Sequence, residues 1–240
     1  MLAVVINRQI LGELDPTSAL IGAVVTVFVA LVFRWAVARK GAKPSRLGIA
    51  TALAMTGAKP DDVLRDWQAT TNVLLQDVVR AAEALDSTNG PSLRRNYVRA
   101  VFAAIEGSTY GMKRVVLQVW KQGYCKLKAD ELERLIETEM VKGGKTKKRY
   151  LPFGDNIKFA FKTFAKAHSF SCPADFGVSG WTSLLEAAET RNRLMHAKST
   201  DELNVSDLDL DEIQKASEWY FANRDRLVES GSTELRKTLG

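Results

Sequence analysis

The chain has 240 residues, 34 Lys and Arg against 28 Asp and Glu for a formal net charge of +6, 46% hydrophobic residues and 26% charged residues. Such values exclude global disorder and a many-span membrane protein, and the length suits one well-buried domain with an appendage. Five cations lie between Arg34 and Arg46 and five more between Lys142 and Arg149; clustering of this kind is what a partner-facing surface requires.

The first element is apolar. No charge occurs over the 18 residues from Pro16 to Phe33, and Ala19 to Phe33 is hydrophobic all the way round rather than along one stripe. As a helix it covers roughly 27 Å, close to the thickness of a bilayer's hydrocarbon, so a single transmembrane helix is expected over about 16–38 within an N-terminal segment 1–40. Arg34, Arg39, Lys40, Lys43 and Arg46 follow it, while Arg8, Glu13 and Asp15 precede it. The positive-inside bias then places the chain in the cell inner membrane as a single-pass protein, N-terminus out and C-terminal domain in the cytoplasm, with Trp35 as an interfacial anchor. Two other readings compete: a signal peptide ending at Ala36-Val37-Ala38, and a buried or oligomerisation helix.

Gly41-Ala42-Lys43-Pro44 recurs as Gly57-Ala58-Lys59-Pro60, so residues 41–60 read as a linker carrying a short helix. The main domain, 61–230, is helical by period. Leu64, Trp67, Thr71, Leu74 or Leu75, Val78, Ala82 and Leu85 form one stripe, broken at Ser87-Thr88-Asn89-Gly90-Pro91. A second long helix runs from about Ser92 to Gln122, with Tyr97, Val101, Ala104 or Ile105, Val115, Val119 and Trp120 for the core and Gly107 and Gly111 as bending points. Asp130 to Val141 reads as a shorter helix closed by Gly143-Gly144, followed by a basic loop. Asp155 to His168 favours helix, and Trp181 to about Ala197 forms another, packing through Leu184, Leu185, Ala188 and Met195. A last helix spans about Leu208 to Val228 with Ile213, Ala216, Tyr220 and Leu227 inward, and 231–240 is a flexible tail. The expected fold is an all-α antiparallel helical bundle of five to six helices behind the N-terminal transmembrane helix.

Chemistry concentrates in Arg191-Asn192-Arg193-Leu194-Met195-His196, which holds one of only two histidines. Arginine forks onto phosphate and imidazole exchanges protons near neutral pH, a combination that suits phosphodiester chemistry. On a helix Asn192 and His196 share a face, while Arg191 and His196 are about 7.5 Å apart along the axis. The same run also satisfies ordinary helix-end chemistry, with Glu189 and Arg193 as a four-residue ion pair. His168, among lysines and aromatics, reads as a helix-end residue. Cys125 and Cys172 stand far apart with no Cys/His pair at ligand spacing, so no zinc site, disulfide framework or cofactor is indicated.

At Arg191, Asn192 and His196 the chain resembles the HEPN superfamily, α-helical domains marked by Arg, a polar residue and His with four to six residues between Arg and His. The resemblance covers roughly Pro60 to Glu229, and Asn96 to Lys113 is similar to the family's Arg-rich, Glu-bearing helix through Arg99, Glu106 and Lys113. It implies a metal-independent endoribonuclease, often a toxin or antiviral defence effector, working as a homodimer whose two motifs face one cleft. His196 is then the acid-base group, Arg191 the phosphate contact, Asn192 an orienting group and Glu106 an orienting carboxylate from the neighbouring helix. RNA carries its own nucleophile in the 2′-OH, so this chemistry requires no metal and no cofactor. Lys145, Lys147, Lys148 and Arg149, with Tyr150 beside them, form a candidate RNA-contacting loop, a charge run being also a common form of solvated turn. The expected partners are RNA, the membrane, a second copy of the chain, and a neutralising or sensor protein of unspecified kind. The alternative is a non-catalytic helical dimerisation or adaptor module at the membrane.

Overall fold

The computed structural model describes residues 60–141, 145–148 and 150–239. The expected membrane span at 16–38 and the linker that follows it lie outside these residues. Among the described residues no helix is long and apolar enough to cross a membrane.

The described chain is mostly helical. Six α-helices are present, α1 Pro60–Thr88, α2 Pro91–Lys121, α3 Ala129–Ile136, α4 Phe153–Ala167, α5 Ser179–Met195 and α6 Asp207–Leu239, with strands β1 Thr138–Val141 and β2 Lys145–Lys148 and a 3-10 turn at Asp201–Leu203. Pro60 and Pro91 open α1 and α2, where a missing N–H and a fixed φ are no handicap. Between them Asn89 takes the left-handed conformation, φ 46°, and its N–H returns to the Leu85 carbonyl at 2.8 Å. This is the usual asparagine or glycine stop.

One expectation fails between 130 and 148. The helix read as Asp130 to Val141 ends at Ile136, and the supposed basic loop is the second strand of a hairpin. Glu137 adopts φ 54°, sends its N–H to the Glu133 carbonyl and so terminates α3. Beyond it Thr138 pairs with Lys148, Glu139 with Lys147, Met140 with Thr146 and Val141 with Lys145 in antiparallel register. Two short runs flanking Gly143-Gly144 carry the hairpin signal; the period of Leu132, Leu135 and Met140 masked it.

The last helix also exceeds its expected end, continuing through residue 239 where a tail was placed. Glu234, Leu235, Arg236 and Lys237 are all good helix formers.

Two compact units divide the described residues. The first takes residues 68–110 and 173–229. Its core holds Val78, Ala82 and Leu85 of α1, Tyr97, Val101, Phe102 and Ile105 of α2, Leu184 of α5, and Ile213, Ala216, Tyr220 and Leu227 of α6. Thr109 and Tyr220 share a buried hydroxyl contact at 2.8 Å. Trp181 and Trp219 pack at 5.2 Å, and Gly180 permits it, because a Cβ there would stand 2.6 Å from Trp219 Cδ1. The second unit takes residues 60–67, 111–172 and 230–239. Trp67, Met112, Val116, Leu135, Ile157, Phe161 and Phe164 fill it. Within it Lys113, 2% exposed, donates to Glu137 at 2.8 Å and to Asn156 at 3.0 Å.

Most periodic core positions hold; Leu64 and Trp120 are only partly buried, and two positions on α5 turn outward. Leu185 and Met195 are 39% and 54% exposed, and Leu194 is buried in place of Met195. Gly107 and Gly111 do not interrupt α2. They admit close neighbours instead, Leu74 Cδ1 at Gly107 and the Trp67 ring at Gly111.

Candidate functional site

The helical period explains where Arg191 sits. Trp181, Leu184, Ala188 and Leu194 form the buried stripe of α5, and Arg191, three residues from each of the last two, continues it at the rim. The side chain is 29% exposed and its Nη2 meets Glu106 Oε1 at 2.7 Å. Glu106 occupies the matching rim of α2, one residue past buried Ile105 and 41% exposed. Its carboxyl is pushed above the usual range by burial, which outweighs the opposing pull of the Arg191 guanidinium. The second branch of the fork, Nη1, donates to Asn192 Oδ1 at 3.1 Å. Three of the four candidate catalytic residues are therefore in direct contact.

His196 is the fourth. It caps the C-terminus of α5 at φ −125°, its N–H donating to the Asn192 carbonyl at 3.1 Å. The ring is exposed and forms no hydrogen bond or ion pair with another described residue. Asn192 thus bonds to Arg191 through its side chain and to His196 through its backbone carbonyl.

Arg193, two residues on from Arg191, does different work. The expected pair with Glu189 is replaced by bonds from Nη1 to the carbonyls of Glu202 and Asn204 at 2.9 and 2.5 Å, and by Asp209 at 3.3 Å from Nη2. Sequence spacing on one helix cannot foresee this partner, because Asp209 arrives from α6. Asp209 also accepts from Thr190 at 2.8 Å and from the Ser206 N–H and hydroxyl at 2.8 Å, while its own N–H donates back to Ser206 Oγ at 3.1 Å. Burial alone would raise that carboxyl; the bonds from Ser206 and Thr190 and the Arg193 charge hold it below its ordinary value. From α2, Arg94 donates to the Val205 carbonyl at 2.9 Å and pairs with Asp207 at 2.6 Å, and Arg95 reaches the Leu203 carbonyl at 3.4 Å. Three arginines thus hold the segment that follows His196, each saturating carbonyls that no helix uses. The signal available beforehand was Ser206-Asp207-Leu208-Asp209, a capping box that marks the start of α6.

No family model matches the chain, and neither does any curated protein or solved structure.

The remaining candidates separate cleanly. Lys145, Lys147 and Lys148 form β2 rather than a loop, with Lys147 and Lys148 exposed, and Arg149 lies outside the described residues. These lysines belong to the second unit, whereas Arg191, Asn192, His196 and Glu106 belong to the first. Lys113, matched by sequence to the Arg-rich helix, is a buried ion-pair partner and presents no charge to a nucleic acid. His168 is a helix-end residue as read: it caps α4, its Nδ1 lies 2.8 Å from the Phe164 carbonyl oxygen, and its ring packs on Phe164 at 4.3 Å. Burial holds its imidazole below the usual range. Burial likewise pushes the Cys125 thiol up to about 11, which removes it as a nucleophile near neutral pH. Among the described residues no three His, Cys, Asp or Glu side chains come together in a group able to hold a metal ion.

Proposed function

We propose that the chain is a membrane-tethered, metal-independent endoribonuclease of HEPN type, folded as an antiparallel helical bundle and acting as a homodimer on the cytoplasmic face of the inner membrane. The observation that carries this reading is the contact of Arg191 with both Glu106 and Asn192, the latter one helical turn from an exposed His196 ring that bonds to no other described residue. A solvated guanidinium–carboxylate pair contributes only about 0–1 kcal/mol to stability, so fold maintenance alone is a weak reason for this arrangement. It does fix the guanidinium plane while leaving Nε and the outer N–H groups for a phosphate.

In the proposed reaction an imidazole takes the proton from the ribose 2′-OH, and the 2′-oxygen attacks the adjacent phosphorus. The phosphorus–5′-oxygen bond breaks, the leaving oxygen receives a proton, and the products are a 2′,3′-cyclic phosphate and a 5′-hydroxyl. Arg191 stabilises charge on the non-bridging oxygens, which is where such a contact is most effective. Glu106 and Asn192 are positioning residues, because both act through Arg191. Exposed Met195 beside His196 provides apolar surface for the second copy. Lys147 and Lys148 supply a sequence-independent attraction for RNA. A toxin or antiviral role, restrained by a neutralising or sensor partner, fits an enzyme that attacks the cell's own RNA. A non-catalytic dimerisation or adaptor module at the membrane is the second reading, favoured by the same exposed Met195.

The test uses the full chain in mild detergent, with RNA and EDTA. Cleavage by the wild type is expected to fall at least a hundredfold in His196→Ala, within the range that acid-base catalysis supplies, and to fall in Arg191→Ala as well. Absence of cleavage across varied RNAs, or equal cleavage by all three proteins, refutes the enzyme. A monomer by light scattering at high concentration refutes the shared cleft.

A further inference from the structure

The exposed face of α2 continues past the ion pair in both directions. Glu106 lies on a stripe with Arg99 seven residues before it and Tyr110 four residues after it. Helix geometry places them on one side, about 10.5 Å and about 6 Å along the axis from Glu106. Tyr110 is 57% exposed, large for an aromatic on a long packed helix, and its ring packs against no other described aromatic ring. Arg99 is exposed and among the described residues makes only a long 3.4 Å bond to Asn96 Oδ1 on its own helix. Exposed Ala103 between them leaves the surface low. All of these residues belong to the unit that carries Arg191 and His196.

We infer that single-stranded RNA runs along this face of α2, with Tyr110 stacking a base next to the phosphate held at Arg191 and Arg99 meeting a phosphate farther along the strand. The inference rests on the ribonuclease reading and adds the substrate's course and form. An exposed aromatic beside a cation is the combination by which single strands are held, the ring taking a base face of any sequence and the arginine tracking the backbone. A paired strand keeps its bases stacked inside the duplex and offers Tyr110 none. The site therefore selects unpaired RNA and is tolerant of sequence at the stacked position.

The experiment measures binding of a short fluorescein-labelled single-stranded RNA by anisotropy, in EDTA, to the full chain carrying His196→Ala to prevent cleavage. Adding Tyr110→Ala is expected to weaken binding about tenfold, within the range for loss of one stacked base, while Tyr110→Phe keeps the affinity. An RNA with one abasic residue at the stacked position should bind the Tyr110 protein about tenfold more weakly, yet bind Tyr110→Ala no worse than intact RNA does. Arg99→Gln should reduce the slope of log affinity against log salt by about 0.7, the single-strand value for one phosphate contact. Unchanged affinity in Tyr110→Ala, or a duplex of the same sequence bound as tightly as the single strand, overturns the inference while leaving the ribonuclease reading in place. Should Tyr110→Ala instead dissociate a dimer in light scattering without altering RNA affinity, the face belongs to a second copy and the inference fails. If the wild-type and His196→Ala chains bind no RNA at all, both readings fall.

Discussion

Alanine at Gly111 should destabilise the chain, and alanine at Gly107, one turn earlier on the same helix, should not. At Gly111 an added Cβ would fall inside the contact radius of Trp67 Cδ1 and stand 2.7 and 2.9 Å from Cγ and Nε1 of the same indole. Trp67 is 5% exposed and packs on Phe164 with centroids 5.9 Å apart, so the ring has nowhere to move. Overpacking of this kind costs about 1–3 kcal/mol, and a rigid buried indole places it near the upper end. The helix gains about 1 kcal/mol when glycine becomes alanine, leaving a net loss of about 2 kcal/mol. At Gly107 the obstacle is Leu74 Cδ1 at 2.5 Å, the end of a half-buried, flexible side chain. Turning that rotamer costs about 0.5–1.5 kcal/mol, which the same helical gain offsets. Urea unfolding followed by helical circular dichroism on the full chain would show the contrast. With a slope of about 2 kcal/mol per molar, Gly111→Ala should lower the midpoint by about 1 M and Gly107→Ala should leave it within about 0.3 M. Equal midpoints for the two variants would refute the argument that the indole, rather than helix propensity, decides the outcome.

Two further outcomes are expected. Glu137→Gln removes the carboxylate charge facing the Lys113 ammonium, 2% exposed, and leaves it neutral amide oxygens only, the new one and that of Asn156. The loss should be about 3 kcal/mol in urea unfolding, the low end for a broken buried pair because Glu137 is itself 32% exposed, with much of it restored by adding Lys113→Met; a single variant as stable as wild type refutes the pairing. Glu106 is held above its ordinary value of 4.5, chiefly by burial, so the folded chain binds a proton there more tightly than the unfolded chain does. The stability this supplies is complete below the ordinary value and is lost as pH rises through the raised one. Urea midpoints measured across that window should therefore fall less steeply with rising pH in Glu106→Gln than in wild type, and parallel profiles would contradict the shift.

Much of the helical order was legible because burial of a 3.6-residue stripe is a local property. Tyr97, Val101, Ile105, Ile213 and Tyr220 all lie in the core their spacing assigned them. Legibility stopped at Glu137, where a left-handed residue ended a helix whose apolar period continued, and the lysines after it became a strand. Within Arg191 to His196, spacing to the histidine nominated Arg191, and spacing along the helix gave Arg193 the wrong partner, Glu189. It could not supply the contacts, which arrive from other helices: Glu106 of α2 at Arg191, and Asp209 of α6 with two loop carbonyls at Arg193.

By itself, then, the sequence determined most of the helices, most of the faces they bury, and which short run holds an arginine, an amide and a histidine together, because each of these follows from neighbours within a turn or two. Only the tertiary structure decided that Arg191 meets Glu106, that Arg193 and Lys113 are spent on holding the fold, and that Tyr110 is left in solvent beside the candidate site. A charged or aromatic side chain takes its role from the partner that desolvates it, and these partners lie far along the chain, on α2 for Arg191, 16 residues away on α6 for Arg193 and 24 away past α3 for Lys113.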